Sequence, residues 1–114
     1  MILQNLILEN STPLIIVSVA IVLDMISGVI KATINHNLKS SEFRIGLMKK
    51  VLDYVLIIVA ICLDVLLEVD YISKSVLYSL IAMEFYSVIE NIRDFIELPS
   101  VIERVLETLS KKED

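Results

Sequence analysis

A chain of 114 residues that is 56% hydrophobic is sized for one domain, and it is more apolar than the roughly 45–50% of an ordinary soluble domain. Two Gly and two Pro leave little material for turns, one Cys excludes an intrachain disulfide, and a single His argues against a zinc site. The net charge of −5 comes largely from the C-terminal third, so it points to no particular partner; neither a nucleic acid nor a cofactor is expected.

The first twelve residues lack a basic n-region, and no small-residue cleavage site follows the apolar run, so this end reads as uncleaved. Ser11 and Thr12 are N-cap candidates, and Pro13 suits a first helical position. The apolar stretch over 14–34 has the ~20 residues that a helix needs to cross the hydrocarbon of a bilayer. Asn35, His36, Asn37, Ser40 and Ser41 form a polar break, with Ser40 or Ser41 as the next N-cap. A second helix then runs through Phe43 and Lys50 into an apolar stretch over 51–69. Glu68, Asp70, Ser73 and Lys74 mark another turn before a third stretch over 72–92.

The tail, 93–114, is amphipathic. Leu98, Ile102, Val105 and Leu109 have the 4-3-4 spacing of a coiled-coil seam or a membrane-surface helix. Ser100 with Glu103 forms a capping box, so a helix can start just after Pro99. The expected fold is an all-α membrane protein: three transmembrane helices plus an amphipathic C-terminal helix, in a single membrane domain over 1–114. Tyr54, Tyr71, Tyr78 and Tyr86 stand in for the missing Trp as interface anchors, Cys62 reads as core filler and His36 as a loop residue.

Orientation follows from the cations. The segment between spans one and two holds Lys31, Lys39, Arg44, Lys49 and Lys50, and the segment between spans two and three holds only Lys74. The tail holds Arg93, Arg104, Lys111 and Lys112, whereas none precedes span one. Cytoplasmic segments carry the excess of Lys and Arg, so the N-terminus is expected outside and the C-terminus in the cytoplasm.

Each apolar stretch carries acids, and an isolated charge within a membrane costs about 2.5–3.5 kcal/mol on insertion scales unless paired or wetted. At about 100° per residue, Ala20, Asp24, Ser27, Gly28, Lys31 and Asn35 share one face of the first helix. Gly46, Lys50, Asp53, Ala60, Asp64 and Glu68 share a face of the second, where Lys49 and Lys50 can pair with Asp53. Ser73, Glu84, Ser87 and Asn91 share a face of the third helix, which also carries Glu90. Such stripes glue helices together or line water. The candidate oligomer or pore face is therefore Asp24, Ser27, Gly28, Lys31, Asp53, Asp64, Glu84, Ser87, Glu90 and Asn91. There is no Ser–His–Asp set, no metal cluster and no Gly-rich phosphate loop, so no enzyme is expected.

Two stretches carry a family likeness. In DMISGVIKATINHNLKSSEFRIGLMKK, Asp24, Ser27, Gly28, Lys31, Ala32, Ser40, Ser41, Gly46, Leu47, Lys49 and Lys50 fall in the order of a loop-one signature. In MEFYSVIENIRDFIELP, Glu84, Ser87, Glu90 and Asn91 match an Asn-Glu-x-x-Ser-Ile-x-Glu-Asn segment, with Met83 and Val88 departing from it. The chain thus resembles the phage-lysis and toxin-secretion holins (bacteriophage holin family 4). Ile96 stands near where that family has a turn glycine, which favours a longer continuous third helix.

The resemblance implies homo-oligomers in the bacterial cytoplasmic membrane that open holes for an endolysin or a toxin, with an antiholin as a possible partner. Two other membrane roles compete: an antiholin-type regulatory subunit, or a narrower membrane-depolarising channel of a defence system. A soluble bundle is disfavoured by span length and charge bias.

Overall fold

Pro13 has no N–H to offer the carbonyl of Glu9, four residues before it, so the helical ladder loses one bond there. In the computed structural model, which describes residues 2–113, a turn at Asn10 separates α1 (Ile2–Glu9) from α2 (Ser11–Ile34). Helical bonds still bridge it, Asn10 N–H to Leu6 O at 3.0 Å and Leu14 N–H to Asn10 O at 2.9 Å. Ser11 is therefore not the cap expected of it. Asn10 holds the N-cap position, and the Ser11 hydroxyl donates back to Leu8 O at 2.8 Å.

Three more helices follow: α3 (Ser40–Leu67), α4 (Tyr71–Arg93) and α5 (Ser100–Glu113). Lys39, in an extended conformation, is the N-cap of α3, so Ser40 lies inside the helix rather than ahead of it. The α2–α3 and α3–α4 turns bend through left-handed residues, His36 at φ 57° and Glu68 at φ 56°, a conformation that favours glycine. Both glycines are instead within helices, Gly28 in α2 and Gly46 in α3.

The longer continuous third helix does not form. The Phe95 and Ile96 N–H groups both fold back on Ile92 O, at 3.0 and 3.2 Å. The chain turns and restarts at Ser100, where the N–H groups of Ile102 and Glu103 bond to Pro99 O. Ser100 is the first helical residue, one position later than a capping box requires. The seam also shifts. Leu106 is 4% exposed and Val105 45% exposed, so α5 packs through Ile102, Leu106 and Leu109.

The bundle is built around α4, which packs most extensively on α2, then on α3, and also on α5. Asn10 meets Ser73 and Ser27 meets Asn91, so α2 and α4 run parallel. Tyr54 reaches Ser18 and Lys50 reaches Asp24, so α3 runs antiparallel to both. Val17, Ile21, Ile57, Leu77 and Leu80 form the apolar core between them.

The distribution of polarity is inverted relative to a water-soluble bundle. Asp64, Ser73, Asn10 and Glu84 are buried, while Ile15, Val19, Val22, Val51, Leu52, Val55, Ile58 and Leu66 are exposed. Cys62 is exposed, not core filler. Tyr54 is half-buried and donates to Ser18 at 2.7 Å, so it is not an interface anchor, whereas Tyr71 and Tyr78 are largely exposed. Two helices, α2 and α4, are long and apolar enough to cross a membrane. The span expected over 51–69 belongs to a longer helix whose apolar part is interrupted by Asp53 and Asp64.

Candidate functional site

Two polar layers cross the bundle, one near each end. In the first, Lys50 extends from α3 between α2 and α4. Its ammonium lies 2.7 Å from Asp24 Oδ2 and 2.9 and 2.7 Å from the two Glu84 oxygens. The three side chains are largely enclosed, at 21%, 12% and 7% exposure for Lys50, Asp24 and Glu84. An ammonium has three donors and no acceptor, so one lysine can satisfy both carboxylates. The pairings expected within α3, of Lys49 and Lys50 with Asp53, are not made. At this register Lys50 faces two carboxylates on other helices, and Asp53 stays half-buried outside its ion pairs.

Asn91 extends the layer. Its Nδ2 donates to Asp24 Oδ1 at 3.0 Å and to Ser27 Oγ at 3.0 Å, with Asp24 O at 3.3 Å. Ser27 in turn donates to Asp24 O at 3.1 Å. Gly28 lies against this layer: a Cβ there would sit 3.6 Å from Asn91 Nδ2, an ordinary contact, so the approach leaves room for a methyl group but not for a larger side chain. The stripe Ala20–Asp24–Ser27–Gly28 is thus turned onto α4 of its own chain, while Lys31 reaches Asp94, just past α4, at 3.6 Å.

The second layer is a helix cap supplied from another helix. Asp64, fully buried on α3, accepts the N–H groups of Ile72 and Ser73 at 3.0 Å each and the Ser73 hydroxyl at 2.5 Å. These are the second and third residues of α4, whose orphan N–H groups an N-cap side chain ordinarily satisfies. Asp70, the residue in the cap position, makes no such bond and lies 3.6 Å from Lys74. Lys74 also pairs with Glu9 of α1 at 3.3 Å. Asn10 donates to Ser73 Oγ at 2.9 Å, and its own Oδ1 is buried without a partner.

A cavity of about 330 Å³ lies beside the first layer, between the second half of α2 and the first half of α3. Asp24, Lys50 and Asn91 line it, as do both glycines. Among the described residues, no group of His, Cys, Asp and Glu is arranged to hold a metal ion.

A model of the bacteriophage holin family matches residues 1–111. The chain belongs to that family. Holins are non-enzymatic membrane proteins, so the polar layers are not read as catalytic machinery. Membership places the inverted bundle in a membrane, where its aliphatic exterior meets lipid tails. No curated protein and no solved structure matches the chain.

Of the candidate residues, the holin bundle gathers Asp24, Ser27, Gly28, Glu84 and Asn91 into one layer and leaves Asp64 in the other. Ser87 is half-buried beside the first layer's helix face, and Glu90 is exposed. Sequence reasoning missed Lys50 as the link between helices, and it missed Asn10, Ser18 and Tyr54. The available signal was the same for each: a polar side chain on the buried side of a greasy helix needs a partner.

Proposed function

We propose that this chain is a holin subunit that crosses the bacterial cytoplasmic membrane three times, oligomerises, and opens a hole through which an endolysin leaves the cell. Residues 1–114 act as one membrane domain, with α2, α3 and α4 as spans and α5 lying on the cytoplasmic side. Family membership supports the hole. The observation that carries the reading is the convergence of charged groups from all three long helices on Lys50, beneath an aliphatic exterior. On α3, Asp64 is fully buried and Lys50 is turned toward Asp24 and Glu84. Along the stretch between them Val51, Leu52, Val55, Leu56, Ile58 and Val59 are exposed, a surface suited to lipid. The cation pattern supports an N-terminus outside.

A lumen wide enough for a folded enzyme needs a polar wall. In the arrangement described, the polar side chains of the spans face one another within the subunit. It is therefore the closed subunit, and opening requires α2, α3 and α4 to part and present Asp24, Lys50 and Glu84 to water or to neighbouring copies. A toxin is the alternative cargo, and an antiholin is a fitting regulatory partner.

Expression in bacteria with a membrane-potential dye and a co-expressed cytoplasmic hydrolase tests the reading. Depolarisation together with hydrolase release is expected. Depolarisation without release identifies a narrow channel, and neither event identifies a regulatory subunit; both outcomes sink the holin reading.

A further inference from the structure

The three long helices do not show the same surface to their surroundings. From Ile15 to Ile30, every exposed residue of α2 is Ile, Val or Leu. From Val51 to Leu67, the same holds for α3 apart from Cys62. On α4 no exposed residue is Ile, Val or Leu. Its exposed positions are Ser75, Tyr78, Ser79, Met83 and Glu90, with Tyr71 and Arg93 at the two ends. At about 100° per residue these lie within an arc of about 140°. Buried Leu77, Leu80 and Glu84 lie on the opposite side of the helix. α2, α3 and α5 all pack on α4 and leave this face bare.

α4 is long and apolar enough to cross a membrane, yet it is the less apolar of the two such helices. Lipid tails offer its hydroxyls and carboxylate no partner. The middle of the face holds hydroxyls and a thioether without a charge, which fits a protein contact better than a water column. Ser75 and Ser79, one turn apart, allow close approach of another backbone and can hydrogen-bond across the contact.

Charge points to a copy of the same chain as the partner. Glu90 and Arg93 make no ion pair among the described residues. In the three-span reading, on which this inference rests, all copies cross the membrane in one direction, so two α4 helices meet in parallel. Three residues along a helix rise about 4.5 Å, an offset that an arginine side chain can span. Glu90 of each copy then faces Arg93 of the other, and the two-fold pair satisfies both charges twice.

We propose that the outer face of α4 is where a second copy of this chain docks, α4 against parallel α4 through Ser75, Tyr78, Ser79 and Met83, with Glu90 and Arg93 paired across the contact. Closed subunits thus associate through a surface separate from the Asp24–Lys50–Glu84 layer, which stays inside each of them.

The test uses the full chain in bacterial membranes, in a Cys62→Ala background, oxidised with copper phenanthroline before lysis begins. Ser75→Cys and Ser79→Cys should give disulfide-linked dimers in severalfold higher yield than Val22→Cys on α2 or Val55→Cys on α3. Equal yields at all four positions overturn the proposal, since random collision would then suffice. Blocking of Ser79→Cys by an impermeant maleimide on intact cells also overturns it, because the face would then meet water. In the Ser79→Cys chain, Glu90→Arg should lower the dimer yield about two- to fivefold, as expected of an exposed ion pair. Adding Arg93→Glu should restore the yield; failure to restore it overturns the parallel docking. The cross-link is read before any hole opens. A chain that links through α4 and never releases the hydrolase therefore counts against the holin reading alone, and release without the cross-link counts against this proposal alone.

Discussion

Lys50 on α3 holds both carboxylate oxygens of Glu84 on α4, at 2.9 and 2.7 Å. The same ammonium reaches Asp24 on α2, so a single cation ties together three helices whose acids would otherwise repel. Removing one member of a buried ion pair costs about 3–5 kcal/mol because it leaves charge uncompensated. Lys50→Met should lie near the lower end, about 3 kcal/mol, because Lys50 keeps 21% of its side chain exposed. Unfolding in detergent measures the loss, and lysis at matched expression should begin earlier. The triple variant Asp24→Asn, Lys50→Met, Glu84→Gln should recover most of the stability. Parental stability and timing in Lys50→Met would show that the cation pins nothing.

Asp64 acts at a distance on the start of α4. Asp64→Asn keeps an acceptor but loses the charge that favours a helix N-terminus, at a cost of about 1 kcal/mol. Asp64→Leu leaves the Ile72 and Ser73 N–H groups unsatisfied and should cost more. Hydrogen exchange at these two amides is the direct readout. It should accelerate in both variants, and unchanged protection in Asp64→Leu would refute the cap.

Gly28 can accept a methyl group but not a branched side chain. The Cβ added in Gly28→Ala meets Asn91 Nδ2 at 3.6 Å, an ordinary contact. Since Ala is about 1 kcal/mol better than Gly within a helix, this variant should be neutral or slightly stabilised. Gly28→Leu must displace Asn91 from Asp24 and Ser27, separating α2 from α4. Comparing the unfolding midpoints of the two decides the matter; equal midpoints would mean that the α2–α4 approach is not close here.

In α5 the buried position is Leu106. Leu106→Ala should cost about 2–5 kcal/mol of α5 docking if the site is fully packed, whereas Val105→Ala should change little. Limited proteolysis of the tail reports docking. Faster cleavage in Val105→Ala than in Leu106→Ala would restore the seam expected from spacing.

Topology is accessible to cysteine labelling in a Cys62→Ala background. Ser11→Cys should react with an impermeant maleimide on intact cells, and Glu107→Cys only after the membrane is opened. Labelling of Glu107→Cys from outside contradicts the cytoplasmic tail.

The sequence by itself determined the helical class, the polar stripes, the turns near 35–39 and 68–70, and a helix start after Pro99. Each of these is a local matter: hydrophobic period, scarcity of glycine, and proline chemistry act within a few residues. The family motifs were equally legible, because they are strings of residue types. What only the tertiary structure decided was which charge meets which. Lys50 is close in sequence to Asp53, yet the α2–α3–α4 register sets it between Asp24 and Glu84. Likewise, nothing near Asp64 in the sequence announces that it caps α4, since the tight turn at Glu68 is what brings Ile72 and Ser73 back to it. The seam of α5 moved from Val105 to Leu106 for the same reason. Spacing defines a face, but the surface it packs against chooses which edge of that face is buried.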